Sequence, residues 1–169
     1  MSTQDLDLST QSTNSLNTGL SEDARASVVE HLNVILADHY LLMLKTHNYH
    51  WNVKGQLFKS MHDLTESQYD DMFEAIDEIA ERIRALGYDA PGTFRAYSQL
   101  SNIEEAKMDI SALEMAADLT NSHENLIRNM RKALDMADEA GDEVSVDLLT
   151  ERLNVHEKAA WMLRSFNAS

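Results

Sequence analysis

The sequence predicts an all-α protein folded as an antiparallel four-helix bundle, and three observations support this prediction. The 169-residue chain contains one proline and five glycines, so long segments are free of helix breakers. Apolar residues recur every three or four positions along four separate segments. Every glycine and the single proline lie outside these segments, either before the first or between two of them.

The first helix is predicted to begin after Ser21, which precedes two acids as an N-cap residue does, and to end before Gly55. Its apolar stripe comprises Val28, Leu32, Ile35, Leu36, Tyr40, Met43 and Leu44. The second helix is predicted from Lys59 to Leu86, because Gly87 and Pro91–Gly92 follow as stop signals. Its stripe comprises Met61, Leu64, Met72, Ile76, Ile79, Ile83 and Leu86.

The third helix is predicted from about Ile103 to Glu139 and the fourth from Glu143 to Phe166, with Gly141 between them. The inward residues of the third are Ile110, Leu113, Ala117, Leu126, Ile127, Met130, Leu134 and Ala137. Those of the fourth are Leu148, Leu149, Leu153, Ala160, Trp161 and Leu163. The connector between the second and third helices, residues 93–103, is the longest of the connectors and has room for one short helix. Its length allows a crossover from one end of the bundle to the other.

Composition limits the domain organisation and the partners. Residues 1–20 are polar and aperiodic, which predicts a flexible N-terminal tail before a bundle domain over 21–169. The 29 acids against 14 Lys and Arg give a net charge of −15, which attracts cations and repels nucleic acids and anionic membranes. The absence of cysteine excludes thiolate metal sites, disulfides and cysteine nucleophiles. No secretory leader or membrane-length apolar run is present, so we expect a cytoplasmic protein.

Histidine and acids recur along the second predicted helix in a pattern typical of metal ligands. At about 100° per residue, Glu66, Asp77 and Glu81 lie ~40°, ~60° and ~100° around the helix from His62. His62 with Glu66, and Asp77 with Glu81, are i,i+4 pairs whose side chains are neighbours and can hold one ion. A mixture of histidine and carboxylate favours Fe²⁺, Mn²⁺ or Zn²⁺ over Ca²⁺ and Mg²⁺.

The two pairs are too far apart to bind one ion within a single helix. Glu66 and Asp77 are separated by about 16 Å along the helix axis. A second copy of the helix, packed antiparallel about a two-fold axis near residues 71–72, places the first pair opposite the partner's second pair. His50, at the end of the first helix, is positioned to complete the site. If this stripe is an interface, each dimer carries two equivalent inter-subunit sites.

A solvated charged helix is the alternative reading of the same stripe. Acids every three or four residues are typical of an exposed helix face, and Arg82 and Arg84 can form weak surface ion pairs with Glu78, Glu81 or other neighbouring acids. The conjunction of two pairs at compatible angles favours the metal site. Two further functions stay open: a structural or DNA-protecting shell with a weak or vestigial metal site, and a small helical interaction module without metal.

The stretch from Leu44 to Gly87 contains "HWNV-G--F---H" followed by "D---ERI--LG" and resembles the Dps family, the ferritin-like proteins that protect DNA during starvation. The resemblance implies a ferritin-like bundle with its long crossover between helices two and three, assembled as a hollow dodecamer. It also implies a ferroxidase, which oxidises Fe²⁺ with hydrogen peroxide or oxygen. The ferric mineral is stored in the cavity, and this protects against oxidative stress.

The resemblance also assigns roles to individual residues. The family's histidine ligands and partner-chain carboxylates correspond to His50, His62, Asp77 and Glu81. Glu66 stands where the family usually has Asp, and its longer arm bears on whether one or two irons bind. Trp51 is expected either to quench one-electron oxidants or to pack the interface. No Glu-x-x-His motif is present, which separates the chain from ferritins, whose metals lie inside one bundle.

Two further expectations concern pores and DNA. Acids surround the turn between the third and fourth helices, where the family has iron-entry pores at a three-fold axis: Asp138, Glu139, Asp142, Glu143 and Asp147. Asp142 and Asp147 are the pore candidates, and a solvated turn is the alternative. The first 24 residues contain no Lys or Arg, and the C-terminal "RSFNAS" offers only Arg164. We therefore expect no direct DNA binding.

Overall fold

The computed structural model describes residues 16–168 as a helical bundle without strands in that range. Its helices are α1 Glu22–Asn52, α2 Phe58–Ala85, α3 Phe94–Leu100, α4 Ala112–Glu139 and α5 Glu143–Arg164, followed by a 3-10 turn over Ser165–Asn167. The all-α prediction is confirmed. Residues 1–15 of the predicted tail lie outside the described residues. None of the described helices has the length and apolar character needed to cross a membrane.

The four long helices pack around one apolar core. α1 packs along α2 and α4, and α4 packs along α5, whereas α2 and α5 meet mainly through long side chains such as Asp71 with Arg152. The short α3 lies against α1 within the long connection from α2 to α4, so the predicted crossover is confirmed. The largest fully buried side chains come from α1, α2 and α4 and include Tyr49, Leu32, Met61, Met72, Leu119 and Leu126.

The ends of the helices follow the predicted signals. Ser21 caps α1, because its Oγ accepts a hydrogen bond from the N–H of Ala24 at 3.2 Å. After α2, Gly87 takes the left-handed conformation with φ 95°, which glycine adopts without a steric penalty. Its N–H donates to Arg84 O while Tyr88 N–H donates to Ile83 O, which is a Schellman motif.

The predicted start of the third long helix at Ile103 is wrong, because α4 begins at Ala112. Ser111 and Glu114 form a capping box there: Ser111 Oγ accepts from Glu114 N–H at 3.3 Å, and the Glu114 carboxylate accepts from Ser111 N–H at 2.8 Å. Asp109 has φ 54°, a left-handed conformation that interrupts any helix arriving from residue 103.

Contacts with α1 hold the segment before α4 in a non-helical conformation. The Asp38 carboxylate accepts hydrogen bonds from Ser101 Oγ and from Asn102 N–H, both at 2.7 Å. The Tyr49 hydroxyl accepts from Lys107 N–H at 2.9 Å. These contacts join residues about 60 positions apart, so local periodicity could not reveal them.

Four positions predicted to face the core are exposed in the single chain. Leu44, Leu113 and Trp161 are 50%, 42% and 57% exposed, and Ala117 is also exposed. The inward prediction is wrong at these positions, because periodicity alone does not separate a core face from a second apolar face.

Asp142 is a buried residue in the turn between α4 and α5, where it caps the N-terminus of α5. It is 2% exposed, its carboxylate accepts from Ser145 Oγ at 2.6 Å, and it pairs with Arg82 Nη2 at 2.6 Å. Burial favours the protonated acid, but the Arg82 and Ser145 hydrogen bonds outweigh it and lower the pKa of Asp142. A pore-lining role for Asp142 is therefore corrected, since its carboxylate is already engaged. Asp147 is exposed and stays a candidate.

Replacing Asp142 by alanine is expected to lower the free energy of unfolding by about 1–3 kcal/mol, because α5 loses its N-cap and Arg82 loses its partner. The folded-state pKa is lowered, so this stabilisation is present above the unfolded pKa of about 3.8 and is lost as pH falls through the folded value. Urea denaturation at neutral pH measures the change. The exposed Asp147→Ala is the matched control, and equal effects of the two variants would contradict the assignment.

Candidate metal centre

Two histidines meet where the end of α1 passes the start of α2. His50 Nδ1 donates to the backbone oxygen of His62 at 2.9 Å, and His62 Nδ1 donates to the backbone oxygen of His50 at 3.0 Å. Because a carbonyl oxygen only accepts, each Nδ1 carries the proton and each Nε2 keeps its lone pair. The rings stack with centroids 3.7 Å apart. These outer hydrogen bonds therefore orient both rings and leave Nε2 as the atom of each neutral ring that can donate a lone pair.

A tight reversal of the chain produces this juxtaposition. Val53 N–H donates to Tyr49 O at the end of α1, and Gly55 then adopts φ 88°. Because glycine tolerates the left-handed conformation, residues 53–57 suffice to turn the chain back along α1. His50 in the last turn of α1 thus faces His62 in the second turn of α2.

Aromatic rings surround the histidine pair. Tyr69 meets His50 edge to face at 5.1 Å between centroids and contacts His47 at 3.9 Å. His47 also stacks on Trp51 at 5.2 Å. Burial and the nearby His50 lower the pKa of His47 despite the Asp70 carboxylate, so His47 packs as a neutral ring. Trp51 itself is 65% exposed, which leaves its indole available to a partner surface.

Two carboxylates of the predicted site, Asp77 and Glu81, lie roughly four or more turns along α2 from His62. Glu66, Asp77 and Glu81 are exposed on α2. Among residues 16–168, no three His, Asp or Glu side chains are arranged to hold a metal ion. The single chain thus brings together His50 and His62 but does not bring Asp77 and Glu81 to them.

Arg84 pairs with a neighbouring surface acid, as the solvated-helix alternative allows, whereas Arg82 pairs with a buried acid from the turn before α5. Arg82 pairs with Asp142 at 2.6 Å, and Arg84 pairs with Asp89. Within the described part of the chain, neither Asp77 nor Glu81 has an ion-pair partner, so both carboxylates are available to a cation or another subunit.

An exposed aromatic residue marks the middle of the same stripe. Phe73 is 70% exposed and lies about 20° around the helix from His62. It is close to residues 71–72, where the spacing places the two-fold axis. A second copy of α2 packed about that axis would cover the Phe73 ring.

Three core histidines were given no role by the sequence analysis: His39, His123 and His156 are at most 1% exposed. They come from α1, α4 and α5 and hydrogen-bond to one another. The sequence did contain a signal for the buried position of His123. This residue lies four positions after Leu119 and three before Leu126, both core residues, so it shares their face of the helix.

Comparison with known proteins decides the family. Residues 29–168 match the ferritin-like domain. The chain is 38% identical over 139 residues to DNA protection during starvation protein 2 of Bacillus anthracis, covering 82% of this chain and 95% of that protein. The chain belongs to the Dps family. The predicted resemblance is thereby confirmed.

Two further proteins extend the comparison. An uncharacterized low temperature-induced protein of Nostoc sp. is 45% identical over 153 residues, covering 89% of this chain and 86% of that protein. The crystal structure of Dps from Vibrio cholerae O1 superposes with a TM-score of 0.86 at 29% identity, covering 94% of this chain and 99% of that chain. That protein is described as a member of a broad superfamily of ferritin-like diiron-carboxylate proteins.

Proposed function

We propose that this Dps-family protein is a ferroxidase that oxidises Fe²⁺ at inter-subunit centres and stores ferric mineral inside a hollow dodecamer. Membership of the family supports iron storage and protection against oxidative stress in general. The observation that carries the finer proposal is the histidine pair. The hydrogen bonds of His50 and His62 use Nδ1 and leave Nε2 of each neutral ring as a lone-pair donor to a metal. The acids of the same stripe, Glu66, Asp77 and Glu81, have no ion-pair partner within the described residues.

A two-fold axis near Phe73 brings the separated ligands together. His62 and Glu66 then lie opposite the partner's Asp77 and the partner's Glu81, with His50 beside them. Phe73 and its copy supply apolar area near the axis, which an isologous dimer buries. The ligand set in each site is thus two imidazoles and up to three carboxylates, with Glu66 retained as a ligand. This donor set suits Fe²⁺ and also accepts Zn²⁺ or Mn²⁺.

Fe²⁺ is the substrate of the proposed reaction. Two Fe²⁺ ions give two electrons to hydrogen peroxide, as 2 Fe²⁺ + H₂O₂ + 2 H₂O → 2 FeO(OH) + 4 H⁺. The O–O bond is cleaved by two electrons together, so no hydroxyl radical is released. The carboxylates stabilise the harder Fe³⁺, and the two imidazoles retain Fe²⁺ before oxidation. Trp51, adjacent to His50, lies where it can donate an electron to a stray one-electron oxidant.

Iron titration tests this proposal against the two alternatives. We expect stoichiometric peroxide to oxidise Fe²⁺ faster with protein than in protein-free buffer, and the iron to co-elute with a particle of twelve chains. Oxidation at the protein-free rate would favour the shell with a vestigial site. A particle of one or two chains would favour the interaction module and contradict the cage.

Direct binding to DNA is expected to be absent, despite the name of the relatives. The net charge of −15 repels phosphate, so it opposes the contacts whose counterion release drives DNA binding. In a gel-shift assay at low salt with a chelator, we expect free DNA to keep its mobility at micromolar protein. A tight shift under those conditions contradicts the prediction, whereas a shift that requires Mg²⁺ indicates a metal bridge. The cytoplasmic location also stays a prediction.

A further inference from the structure

The three core histidines form a hydrogen-bonded chain across the bundle. His39 Nδ1 contacts the backbone oxygen of Ile35 at 2.8 Å. His39 Nε2 lies 3.0 Å from His156 Nε2, and His156 Nδ1 lies 2.8 Å from His123 Nδ1. The chain therefore runs from α1 through α5 to α4.

One set of proton positions satisfies every contact in this chain. Ile35 O only accepts, so His39 carries its proton on Nδ1 and accepts on Nε2. His156 must then donate from Nε2 and accept on Nδ1, so His123 donates from Nδ1. His123 Nε2 is left with a lone pair, and it has no hydrogen-bond partner among residues 16–168.

The imidazoles are held in the neutral form that this arrangement needs. Burial lowers the pKa of His39 and of His123 to about 3, and lowers the pKa of His156 well below its usual value. The free nitrogen of His123 is therefore a lone-pair donor at neutral pH. Two successive imidazole hydrogen bonds behind it polarise the ring and strengthen that donor.

Other metal-type donors lie beside His123. It lines a cavity of about 360 Å³ between α2 and α5, together with Gln68 and Asp71. Gln68 is 8% exposed, and neither its amide oxygen nor its amide nitrogen has a hydrogen-bond partner within the described residues. The Asp71 carboxylate is near enough to favour positive charge at His123. No hydrogen bond within the described residues holds the Gln68 amide, so an ion bound there would not have to displace one.

We propose that His123 Nε2, the Gln68 amide oxygen and the Asp71 carboxylate bind one divalent transition-metal ion of the Zn²⁺ or Co²⁺ class within a single chain. A nitrogen and two oxygens suit these ions, and the open side of the cavity leaves further positions for water. His156 and His39 serve as the outer hydrogen-bond partners that fix the ligating tautomer of His123. This site shares no residue with the inter-subunit centre and does not depend on the ferroxidase proposal.

The surroundings set the expected strength of binding. Arg152, which is 4% exposed, also binds the Asp71 carboxylate, and Lys158 lines the cavity. A carboxylate has lone pairs for both an arginine and a metal, but the positive charges oppose a divalent ion. We therefore expect weaker binding here than at the inter-subunit centre.

The test uses a full-length background variant, His50→Ala with His62→Ala, which lacks the inter-subunit histidines. Co²⁺ is titrated into this protein, and its visible absorption and the bound Co²⁺ per chain are measured. We expect a nitrogen-ligated Co²⁺ spectrum with one such ion per chain. Adding His123→Gln should abolish this spectrum, while adding His31→Gln, the matched histidine on α1, should leave it unchanged. Equal spectra from these two variants would overturn the proposal, as would the absence of the spectrum in the background.

A second variant keeps the test valid if His123→Gln disturbs the core. Asp71→Asn changes a half-buried side chain and should weaken Co²⁺ binding at least 10-fold while leaving the circular dichroism spectrum unchanged. Crystals of the wild-type protein soaked in Zn²⁺ provide the direct measurement. An anomalous peak about 2.1 Å from His123 Nε2 is expected. Water alone at that position, in crystals whose inter-subunit sites hold Zn²⁺, would overturn the proposal.

Discussion

Replacing His50 and His62 together by alanine should slow peroxide-driven Fe²⁺ oxidation by more than about 10-fold and leave the particle size unchanged. Loss of a single outer hydrogen-bond partner of a metal ligand commonly costs about 10–100-fold in affinity or activity. Loss of both imidazoles should cost at least as much. Stopped-flow absorbance of ferric product gives the initial rate, and light scattering gives the mass of the particle.

Matched controls separate ligand loss from general damage. His31→Ala removes a half-buried α1 histidine whose Nδ1 also donates to a backbone oxygen, that of Ser27 at 3.0 Å, and should not change the rate. Asp77→Asn should slow oxidation as the histidine variants do. Glu78→Gln changes an acid that lies about 100° around α2 from Asp77 and should not. Wild-type kinetics in the double-histidine variant would remove the site assignment.

Acidification should destabilise the metal-free protein steeply, with the free energy of unfolding falling by about 3 kcal/mol per chain between pH 6.5 and 5.5. His39, His123 and His156 have folded-state pKa values far below the usual 6.5 because they are buried. Their stabilising effect is complete above pH 6.5 and is lost as pH falls, because the unfolded chain then binds protons that the folded chain excludes. Each such histidine contributes about 1 kcal/mol over this interval, and the slope approaches about 1.4 kcal/mol per pH unit at lower pH.

Urea denaturation with a chelator present, at pH 7.5, 6.5 and 5.5, measures this slope. Replacing His123 by leucine should remove about a third of the pH dependence in this interval, whatever it does to the stability at pH 7.5. His31→Gln should leave the dependence unchanged. Stability that is constant between pH 7.5 and 5.5 would show that the core histidines titrate normally and would contradict the hydrogen-bonded neutral chain.

The sequence was sufficient for the bundle but not for the start of α4. Periodicity and breakers located the four long helices because each buries one face of an uninterrupted segment. The contacts of Asp38 and Tyr49 with residues 101–107 keep that segment out of the helix, and such contacts span about 60 positions. The capping box of Ser111 and Glu114 was nevertheless readable as a local signal.

The candidate metal site was likewise only partly predictable from the sequence. Spacing alone predicted which residues share a stripe of α2. It also predicted that one chain cannot supply all the ligands of one ion, and the separation of Asp77 and Glu81 from the two histidines is consistent with this prediction. The reciprocal hydrogen bonds that fix both tautomers pass through backbone oxygens, which no residue pattern displays. Periodicity could have placed His123 in the core, but its alignment with His156 depends on how α4 packs on α5.

Co-assembly of two complementary variants tests most directly whether the centre is shared between subunits. One chain carries His50→Ala and His62→Ala, the other carries Asp77→Asn and Glu81→Gln, and cages of each alone should be inactive. In an equal, random mixture half of the dimers are mixed, and each mixed dimer keeps one intact site of two. We predict that mixed cages recover about one quarter of the wild-type Fe²⁺ oxidation rate. Mixed cages as inactive as either parent would show that the ligands come from one chain and would contradict the account.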